Sequence, residues 1–583
     1  MSEPVQTSDG LRVTLWVAVA VGLLGEAYLP LGRAGFCVRS ALGLLWPALA
    51  AGGLMVVVVR GVRALTPRSR ASWLVLIVVF CWVGAVTILN LTPPIARDEL
   101  THHLAMPALY VAAGRVIEVP FADQSYYPMA LEMLYTPLVA RGWEIVPKLL
   151  HAAFGLAACA LVAEYLAARG NAVVALLTAA LLFTTPTVSI LAASAYVDLG
   201  LLFFSAAAVI GLLRWSETER REYFVAAALA AGCSAAVKYN GLVLVIVLGL
   251  GVLWLMRNRS TVAALGSAVA FVALSLVPLI PWLVKNAAQT GNPIFPLFNG
   301  LIGGRPLPQM PSIDLFTKRQ VLYGETLFEI VLAPIRVFIT GHEGDPARFD
   351  GVFNPIYLLG FATALRPGAT DRQRWFAGIA ALLLAMVFLL NTFRSRYGVA
   401  VLVPLALVLA EVLEHGLGRW RRVALAGIAA ALAFNGWHLV SFWMHIDPLS
   451  YLTGRESRSA FIARFVPEYP LVEFANTKLP KDTRVDLEFL GSRGYYWQRP
   501  YRYDAYFSGT TLRDTIRGAA SGDEVAAGLR RAGITHIAAA DGLLFRFLGD
   551  NLSEIEYKRW EDFGRDHLRR LYGERGFGLY EIG

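Results

Sequence analysis

Long apolar stretches separated by short polar segments recur over the first three quarters of the chain. Most are about 18 to 22 residues long, the length that an α-helix needs to cross a bilayer core of roughly 30 Å. A backbone that crosses lipid must satisfy its own hydrogen bonds, and this favours helices. The pattern therefore predicts a polytopic α-helical membrane protein with about thirteen transmembrane helices, at 11–30, 41–60, 72–92, 144–168, 172–190, 198–214, 222–238, 240–256, 262–284, 352–366, 374–391, 398–414 and 421–443.

Basic residues are concentrated in short segments on one side of these predicted helices, namely 60–70, 167–171, 214–222, 257–260, 366–374 and 415–422. Cytoplasmic loops of membrane proteins carry an excess of Lys and Arg, so we place these segments in the cytoplasm. The N-terminus then lies inside, whereas segments 93–143, 191–197, 285–351 and 391–397 lie outside. This orientation holds only if 128–140 does not span, and we expect it to be a helix on the outer surface.

The last part of the chain, 446–583, is more charged and has mixed periodicity. Residues 483–490, 535–541 and 577–583 are typical of short strands. Ser521 followed by Glu524 predicts a helix start, and Gly533 predicts the end of that helix. The sequence thus predicts two domains: a transmembrane domain over 1–445, which includes outer loops 93–143 and 285–351, and a small extracytoplasmic α/β domain over 446–583.

Composition agrees with this division and narrows the classes of partner. The chain is 56% hydrophobic and 16% charged, whereas a soluble domain carries roughly 25% charged residues. The net charge of +9 is explained by the basic inner loops, so no nucleic-acid partner is expected.

The four cysteines lie in or beside apolar runs without metal-ligand spacing and are expected to be small buried side chains. The first apolar run lacks a clear cleavage site and is expected to be an uncleaved anchor.

Acids and histidines cluster where the third predicted helix ends, in "IARDELTHHLAMPALY" (95–110). The apolar residues of 99–113 recur at helical spacing, which predicts an amphipathic helix on the membrane surface. Asp98 would stand at its start, either as a helix N-cap or as a carboxylate base at the lipid–water boundary. His102 and His103 could bind a metal or be ordinary interfacial residues.

Further polar residues fall at the outer ends of other predicted helices. A single Lys or Arg at such a position usually reaches lipid headgroups. Several on one face of the membrane could instead bind a lipid-linked phosphate, with Arg making bidentate contacts and Lys acting as a point charge. A nearby carboxylate could then take a proton from an acceptor hydroxyl. The polar residues at these outer positions, acids and cations together, are Glu132, Asp198, Lys238, Lys285, Arg394, Arg396 and Tyr397.

Several stretches carry a family resemblance: the segment 97–135 with its acidic pair, "AASAYVDLGLLFF" (192–204), "AAGCSAAVKYNGL" (230–242), "WLVKNAAQTGNPIFPLFN" (282–299) and "RSRYGVAVLVP" (394–404). With these motifs the chain resembles the bacterial GT-C glycosyltransferases that use polyprenyl-phosphate-linked sugars. This group is related to protein O-mannosyltransferases and aminoarabinose transferases. In the tail, "YLTGRESRSAFIARF" and "GSRGYYW" resemble members that have a periplasmic C-terminal domain.

The resemblance implies roles for particular residues. Asp98 matches the catalytic acid of the first outer loop, the presumed base, and Asp198 matches a second acidic position that in some members helps to bind a metal. Lys238, Arg394 and Arg396, with Tyr397, match the positions expected near the donor phosphate. Glu99, His102, His103, Glu132 and Lys285 are expected to support this site. A divalent metal, for which Asp198 and His103 would be ligands, is left open because some relatives use one and others do not.

The chain also departs from the family at one place. The aminoarabinose transferases carry a "KPP"-like stretch after the first loop, where this chain has "SYYPMALEM". The aminoarabinose substrate therefore does not carry over. Neither the sugar, the acceptor nor the linkage follows from the sequence.

The leading hypothesis is an integral-membrane glycosyltransferase of the bacterial inner membrane. It would move a sugar from a polyprenyl-phosphate donor, such as an undecaprenyl one, to a hydroxyl of a lipid, glycan or protein at the periplasmic face. Inversion at the anomeric carbon is expected, because one base and no clear nucleophile are found. A transporter or flippase of lipid-linked saccharide would instead predict paired halves with broken helices. A scaffold whose tail binds a partner would not need Asp98.

Overall fold

The structure is a computed structural model that describes residues 8–65, 70–306, 314–390, 393–504 and 510–583. Within these ranges the chain forms 28 α-helices and five β-strands. The predicted inner loop 60–70 and outer loop 391–397 include residues 66–69 and 391–392, which lie outside the described residues.

The first half of the chain is helical. Its helices are α1 (Ser8–Arg33), α2 (Leu45–Ala64), α3 (Arg70–Asn90), α4 (Ala105–Ala113), α5 (Ala130–Val139), α6 (Ile145–Ala167), α7 (Ala172–Thr184), α8 (Pro186–Leu191), α9 (Asp198–Thr218), α10 (Arg221–Val237), α11 (Asn240–Leu255), α12 (Thr261–Leu276), α13 (Ile280–Thr290) and α14 (Asn299–Ile302). A short π-helical turn, Glu99–His103, precedes α4.

The second half continues with α15 (Leu315–Tyr323), α16 (Leu327–Val331), α17 (Ala333–Arg336), α18 (Leu358–Ala364), α19 (Asp371–Leu390), α20 (Leu402–Arg419) and α21 (Arg421–Ile446). The tail holds α22 (Pro448–Leu452), α23 (Arg458–Phe465), α24 (Tyr469–Lys478), α25 (Thr510–Gly518), α26 (Gly522–Arg531), α27 (Asp541–Asn551) and α28 (Glu554–His567). Its strands are β1 (Val485–Glu488), β2 (Tyr501–Arg502), β3 (His536–Ala540), β4 (Leu568–Glu574) and β5 (Phe577–Ile582).

The helices have the length and composition of a multi-pass membrane protein. In the part of the chain that the structure describes, nine helices are long and apolar enough to cross a membrane, and four shorter apolar helices accompany them. Each of the thirteen predicted segments contains helix, but two are interrupted. The segment 172–190 breaks between α7 and α8 at Pro186, and 262–284 passes through the 3₁₀ turn Val277–Leu279. Proline explains both breaks, because it lacks the N–H that a continuous helix needs.

The two predicted surface helices have different outcomes. The segment 128–140 forms α5, whose residues from Ala130 to Leu138 are all buried, so the prediction of a surface helix there was wrong. The segment 99–113 is divided into the π-helical turn and α4, with Leu104 at the junction, and only part of α4 is buried. It is therefore not the single helix that was predicted. α5 is apolar around most of its circumference, and such a helix is stable only inside a packed bundle.

Small residues allow the central helices to approach closely. A Cβ at Gly25 of α1 would collide with the backbone of Ala130 in α5, and a Cβ at Gly61 of α2 would collide with the backbone of Ala160 in α6. Membrane helices commonly pack through such small residues, because lipid provides no hydrophobic force between them.

The tail contains one mixed sheet with the strand order β2-β1-β3-β5-β4. β1 is parallel to both β2 and β3, and β5 is antiparallel to β3 and β4. β1, β3 and β5 lie within the three predicted strand segments, whereas β2 has only two residues and β4 reads "LRRLYGE", which lacks an apolar alternation. Ser521 caps α26 and Gly533 has a positive φ of 77° just after it, in line with the sequence signals.

The sheet is attached to the membrane helices through the first outer segment. The rings of Tyr501 and Tyr503 lie 5.9 and 5.1 Å from the ring of Phe121. Arg458 in α23 forms an ion pair of 2.8 Å with Glu144, just before α6. These contacts bring the tail next to the segment that carries Asp98.

Candidate active site

A cavity of about 670 Å³ opens beside the segment that follows α3. Its walls include that segment, α8 and the residues after it, α21, the segment around residue 343, and the segment that holds Arg394 and Arg396. Its polar and charged lining residues include Arg97, Asp98, Glu99, Lys148, Ser194, Tyr196, His342, Glu343, Asp350, Arg394, Arg396, His438, Ser441 and His445.

Asp98 and Arg396 form an ion pair in the wall of this cavity. The Oδ2 of Asp98 lies 2.7 Å from Nη1 of Arg396. The guanidinium lies 5.2 Å from the ring of Tyr196, and the Tyr196 hydroxyl accepts a hydrogen bond from the Asp98 backbone N–H at 3.3 Å. Asp98 does precede a helical turn, but its side chain makes no capping hydrogen bond there. The N-cap interpretation of Asp98 was therefore wrong.

The surroundings of Asp98 keep it ionised. Burial alone would raise the pKa of this carboxyl group, but the positive charges of Arg396 and Lys238 lower it below its usual range. Opposite charge within a few ångströms favours the charged form of an acid. Asp98 is thus an anion that is held by cations and faces open volume.

Glu99, the second acid of the pair, has a different environment. Its buried carboxylate accepts hydrogen bonds from the backbone N–H groups of Ile95 and Ala96, at 3.1 and 2.9 Å, and of Ala195 at 2.5 Å. These bonds join the segment before Asp98 to the segment before α9. Glu99 lines the cavity, but both of its carboxylate oxygens already accept hydrogen bonds from backbone N–H groups.

Lys238 and Asp198 form a second ion pair beside Arg396. The Nζ of Lys238 lies 2.9 Å from Oδ1 of the fully buried Asp198. The ring of Tyr397 lies 4.7 Å from the Lys238 ammonium and 5.1 Å from the Arg396 guanidinium. Cations over an aromatic face gain electrostatic stabilisation, so Tyr397 holds the two cations on one surface.

Arg394 contributes a third pair, with an acid that the sequence analysis missed. Its Nη1 lies 3.0 Å from Oδ2 of Asp350, and both residues line the cavity. Glu343 lines the same wall, and burial, assisted by Asp350, raises its pKa to about 8. The acids of "HEGDPARFDG" (342–351) in the second outer loop were the available signal. Tyr196 had no sequence signal beyond its place next to Asp198.

The two histidines and Asp98 fit a divalent cation. One ligand atom from each of Asp98, His102 and His103 lies within 4.8 Å of the others. Glu132 Oε1 lies 2.7 Å from Nδ1 of His103, and the buried Nε2 of His103 has no partner among the described residues. A carboxylate behind a histidine is the usual orientation of a metal ligand. Burial lowers the pKa of His102 to about 4, so this ring is neutral and able to coordinate. The expected ligand His103 belongs to this group, whereas Asp198 does not.

Lys285 lies elsewhere. Its buried ammonium donates a hydrogen bond of 2.6 Å to the Ser125 carbonyl, and it is absent from the described lining of the cavity. The neighbouring Asn286 donates to the carbonyl of Tyr126 at 2.8 Å. Lys285 joins α13 to residue 125 of the segment between α4 and α5, and its supporting role at the site stays a prediction.

Comparison with known proteins identifies the fold. ArnT from Cupriavidus metallidurans bound to undecaprenyl phosphate is similar over 88% of this chain and 98% of its own, with a TM-score of 0.50 and 14% identity. Its apo state gives a TM-score of 0.49 at 16% identity over the same shares of the two chains. The oligosaccharyltransferase AglB from Archaeoglobus fulgidus, in complex with an inhibitory peptide and a dolichol-phosphate, matches 86% of this chain and 74% of its own, with a TM-score of 0.42 and 13% identity.

Sequence comparison adds little to this result. The family model described as "Domain of unknown function (DUF8201)" matches residues 147–302, from α6 to α14. No curated protein matches the chain. The similarity to ArnT shows the GT-C fold and so confirms the resemblance to GT-C glycosyltransferases at the level of fold.

Proposed function

We propose that this protein is a membrane glycosyltransferase that transfers a sugar from a polyprenyl-phosphate donor to an acceptor hydroxyl. The observation that carries the proposal is the Asp98–Arg396 pair of 2.7 Å in the wall of a cavity that Arg394 also lines. The related fold of ArnT, a structure of which holds undecaprenyl phosphate, supports a donor of this class. The nine long apolar helices would place such a lipid within reach of the site.

The donor phosphate would bind to the cations of the site. Arg396 and Arg394 offer planar groups for bidentate contacts with phosphate oxygens, and Lys238 adds a point charge beside them. Each of these cations is paired with a carboxylate, Asp98, Asp350 or Asp198. A phosphate would compete with Asp98 for Arg396, and Asp98 would become a stronger base as that pairing weakens.

Sugar transfer would then be a direct displacement. The acceptor hydroxyl gives its proton to Asp98 while its oxygen attacks the anomeric carbon. The bond between that carbon and the phosphate oxygen breaks, and the polyprenyl phosphate leaves with the electron pair. Arg396 and Arg394 would stabilise the charge that develops on it. A displacement in one step inverts the configuration at the anomeric carbon. A divalent cation bound by His102 and His103 would supply further positive charge, whereas one bound also by Asp98 would weaken Asp98 as a base.

We also propose the orientation and setting of the site. The side of the membrane that carries Asp98 would be the outer, periplasmic face of the bacterial inner membrane, because the basic loops lie on the other side. The domain 446–583 would then be periplasmic. The acceptor would be a hydroxyl of a lipid, a glycan or a protein.

The test uses the purified full-length protein in lipid vesicles with a radiolabelled polyprenyl-phosphate sugar. We expect transfer to an acceptor or slow hydrolysis of the donor, and we expect both to stop in Asp98→Asn. Asp482→Asn, which changes an exposed carboxylate of the tail, is the control and should keep wild-type rates. Movement of saccharide across the vesicle without any turnover would instead support a transporter and contradict the proposal.

A further inference from the structure

The tail segment "GSRGYYW" (491–497) lies against the segment that carries Asp98. The Tyr496 hydroxyl donates a hydrogen bond of 2.7 Å to the carbonyl of Pro94. The backbone N–H of Tyr495 donates to the carbonyl of Leu100 at 3.1 Å. The two contacts therefore lie on either side of Asp98 in the chain.

The segment around Asp98 depends on such contacts because residues 91–96 are not helical. From the membrane side, Glu99 binds the N–H groups of Ile95 and Ala96, and Tyr196 binds the N–H of Asp98. From the tail side, Tyr495 and Tyr496 make hydrogen bonds to residues of 94–100. An irregular segment keeps a precise geometry only when side chains of neighbouring rigid elements lock it.

Tyr496 is itself rigidly held. Its ring lies 5.4 Å from the Arg458 guanidinium, which is bound to Glu144 at 2.8 Å. The ring of Tyr469 lies 5.2 Å away in an edge-on arrangement. The Tyr496 carbonyl accepts a hydrogen bond of 2.8 Å from Asn476 Nδ2. The hydroxyl therefore has little freedom to leave Pro94.

The segment 491–497 is also held by an ion pair within the tail, and the tail packs against Leu100 of the Asp98 segment. Arg493 forms a bidentate pair with the buried Glu468, with 2.7 Å between Nη2 and Oε2. The side chain of Leu100 is buried in a small cluster with Ile462, Val466 and Tyr469. Burial of one large apolar side chain contributes roughly 1.5–3 kcal/mol, so the tail and the Asp98 segment are joined by packing as well as by hydrogen bonds.

We propose that Tyr496 is a positioning residue that holds the backbone before Asp98, so that the carboxylate faces the cavity at the correct place. This inference rests on the proposed function, in which Asp98 takes the proton of the acceptor. It assigns a role to the tail: the α/β region supports the segment that carries Asp98.

The variant Tyr496→Phe tests this role in the full-length protein. It keeps the ring, and with it the contacts to Arg458 and Tyr469, and removes only the hydroxyl. Misplacement of a reacting group by a fraction of an ångström lowers turnover without weakening substrate binding, so we expect kcat to fall about tenfold with the donor KM unchanged.

Tyr495→Phe is the matched control. Among the described residues the Tyr495 hydroxyl has no hydrogen-bond partner, and its contact with Leu100 is made through the backbone N–H. This variant loses the same single hydroxyl, at the position directly before Tyr496. We expect kcat and KM to stay within about twofold of the wild type, since the lost hydroxyl makes no described hydrogen bond to the Asp98 segment.

Hydrogen exchange measured by mass spectrometry gives a readout that does not depend on activity. Peptides that cover 94–104 should exchange faster in Tyr496→Phe and at the wild-type rate in Tyr495→Phe. Peptides that cover β1 should exchange at the wild-type rate in both, which separates a local release from loss of the tail fold.

The outcomes distinguish the two proposals. If Tyr496→Phe changes neither the exchange of 94–104 nor kcat, the positioning role is wrong and the proposed function is unaffected. A fall in kcat without faster exchange, or an equal fall in Tyr495→Phe, also contradicts it. Full turnover by Asp98→Asn contradicts the proposed function itself, and the role of Tyr496 in catalysis then falls with it.

Discussion

Asp98 and Glu164 are both buried or half-buried acids paired with an arginine, yet they differ in what surrounds them. Glu164, near the end of α6, accepts from Arg60 through Oε1 at 2.9 and 3.1 Å and from Thr14 through Oε2 at 2.7 Å. Asp98, near the other end of that helix, has one oxygen on Arg396 and faces a cavity of about 670 Å³. Both oxygens of Glu164 are occupied, whereas the Asp98 pair is open to a ligand.

The difference separates an ion pair that holds helices together from one that can do chemistry. A buried charge is tolerated when its hydrogen-bonding capacity is filled, as for Glu164. Incomplete satisfaction next to open volume is typical of a site that a substrate completes. Two buried atoms of residues near Asp98, the Nε of Arg396 and the Nε2 of His103, lack hydrogen-bond partners among the described residues. Three changes test this distinction and a fourth tests another acid of the cavity wall, from the largest effect to the smallest.

Asp98→Asn should lower transfer by about 10²–10⁴-fold, the usual contribution of a general base. Donor binding should persist or become tighter, because the substitution releases Arg396. Initial rates and equilibrium binding of the labelled donor measure the two effects separately. Glu164→Gln, an acid-to-amide change at the other pair, should keep kcat. Equal losses of kcat in both variants would remove the distinction between the pairs.

Arg396→Ala should weaken donor binding by about 10- to 100-fold, since a hydrogen bond to a charged group contributes about 1.5–3 kcal/mol. Arg396→Lys should recover only part of this affinity, because lysine lacks the planar fork. Titration with the labelled donor gives both dissociation constants. Arg60→Ala, the matched loss of the arginine paired with Glu164, should leave donor affinity unchanged. Unchanged affinity in Arg396→Ala would show that the phosphate binds elsewhere.

Glu164→Gln should destabilise the protein by about 1–3 kcal/mol, because the charged hydrogen bonds to Arg60 are lost from a buried position. The thermal midpoint in detergent should fall by several degrees, whereas Asp98→Asn should lower it less or not at all. Midpoints of the two variants, measured under one set of conditions, give the comparison. A larger loss of stability in Asp98→Asn would mean that Asp98 also has a structural role.

Glu343 should make stability depend on pH with a defined sign. Its pKa is raised from 4.5 to about 8 in the folded protein, first by burial and then by Asp350. The folded state therefore binds more protons than the unfolded state between these values, and stability falls as pH rises through that window. Glu343→Gln should flatten the fall in thermal midpoint between pH 5 and 8 by about 2 °C. A wild-type midpoint that rises over this window would contradict the assigned environment.

Helices were the predictable part of the fold. Each of the thirteen predicted segments contains helix, because length and apolarity alone decide what can cross a bilayer. The same signal failed at 128–140, which is buried. A short apolar helix on a surface and one within a bundle have nearly the same composition, and only the surrounding helices distinguish them. β2 and β4 were not predicted because their sequences carry no alternation of their own.

Individual charged residues of the candidate site were predictable from the sequence, but the ion pairs that they form were not. Asp98, Lys238, Arg394 and Arg396 stand out as charged residues at the ends of apolar segments, where a charge is costly. Their partners come from remote positions: Arg396 for Asp98, Asp198 for Lys238, and Asp350 for Arg394. Lys285 shows the limit of the signal, since an equally conspicuous lysine binds a backbone carbonyl instead.

The sequence by itself determined that the chain crosses a membrane many times, which of its charges sit at the ends of the crossings, and that its tail has another character. These properties depend on local composition, and the bilayer acts on each segment separately. Only the tertiary structure decided that Arg396 faces Asp98, that Glu99 and Lys285 form hydrogen bonds with backbone groups, and that the Tyr496 hydroxyl binds the carbonyl of Pro94. Such contacts join residues that are far apart in the chain, and their geometry follows from how the helices pack against one another.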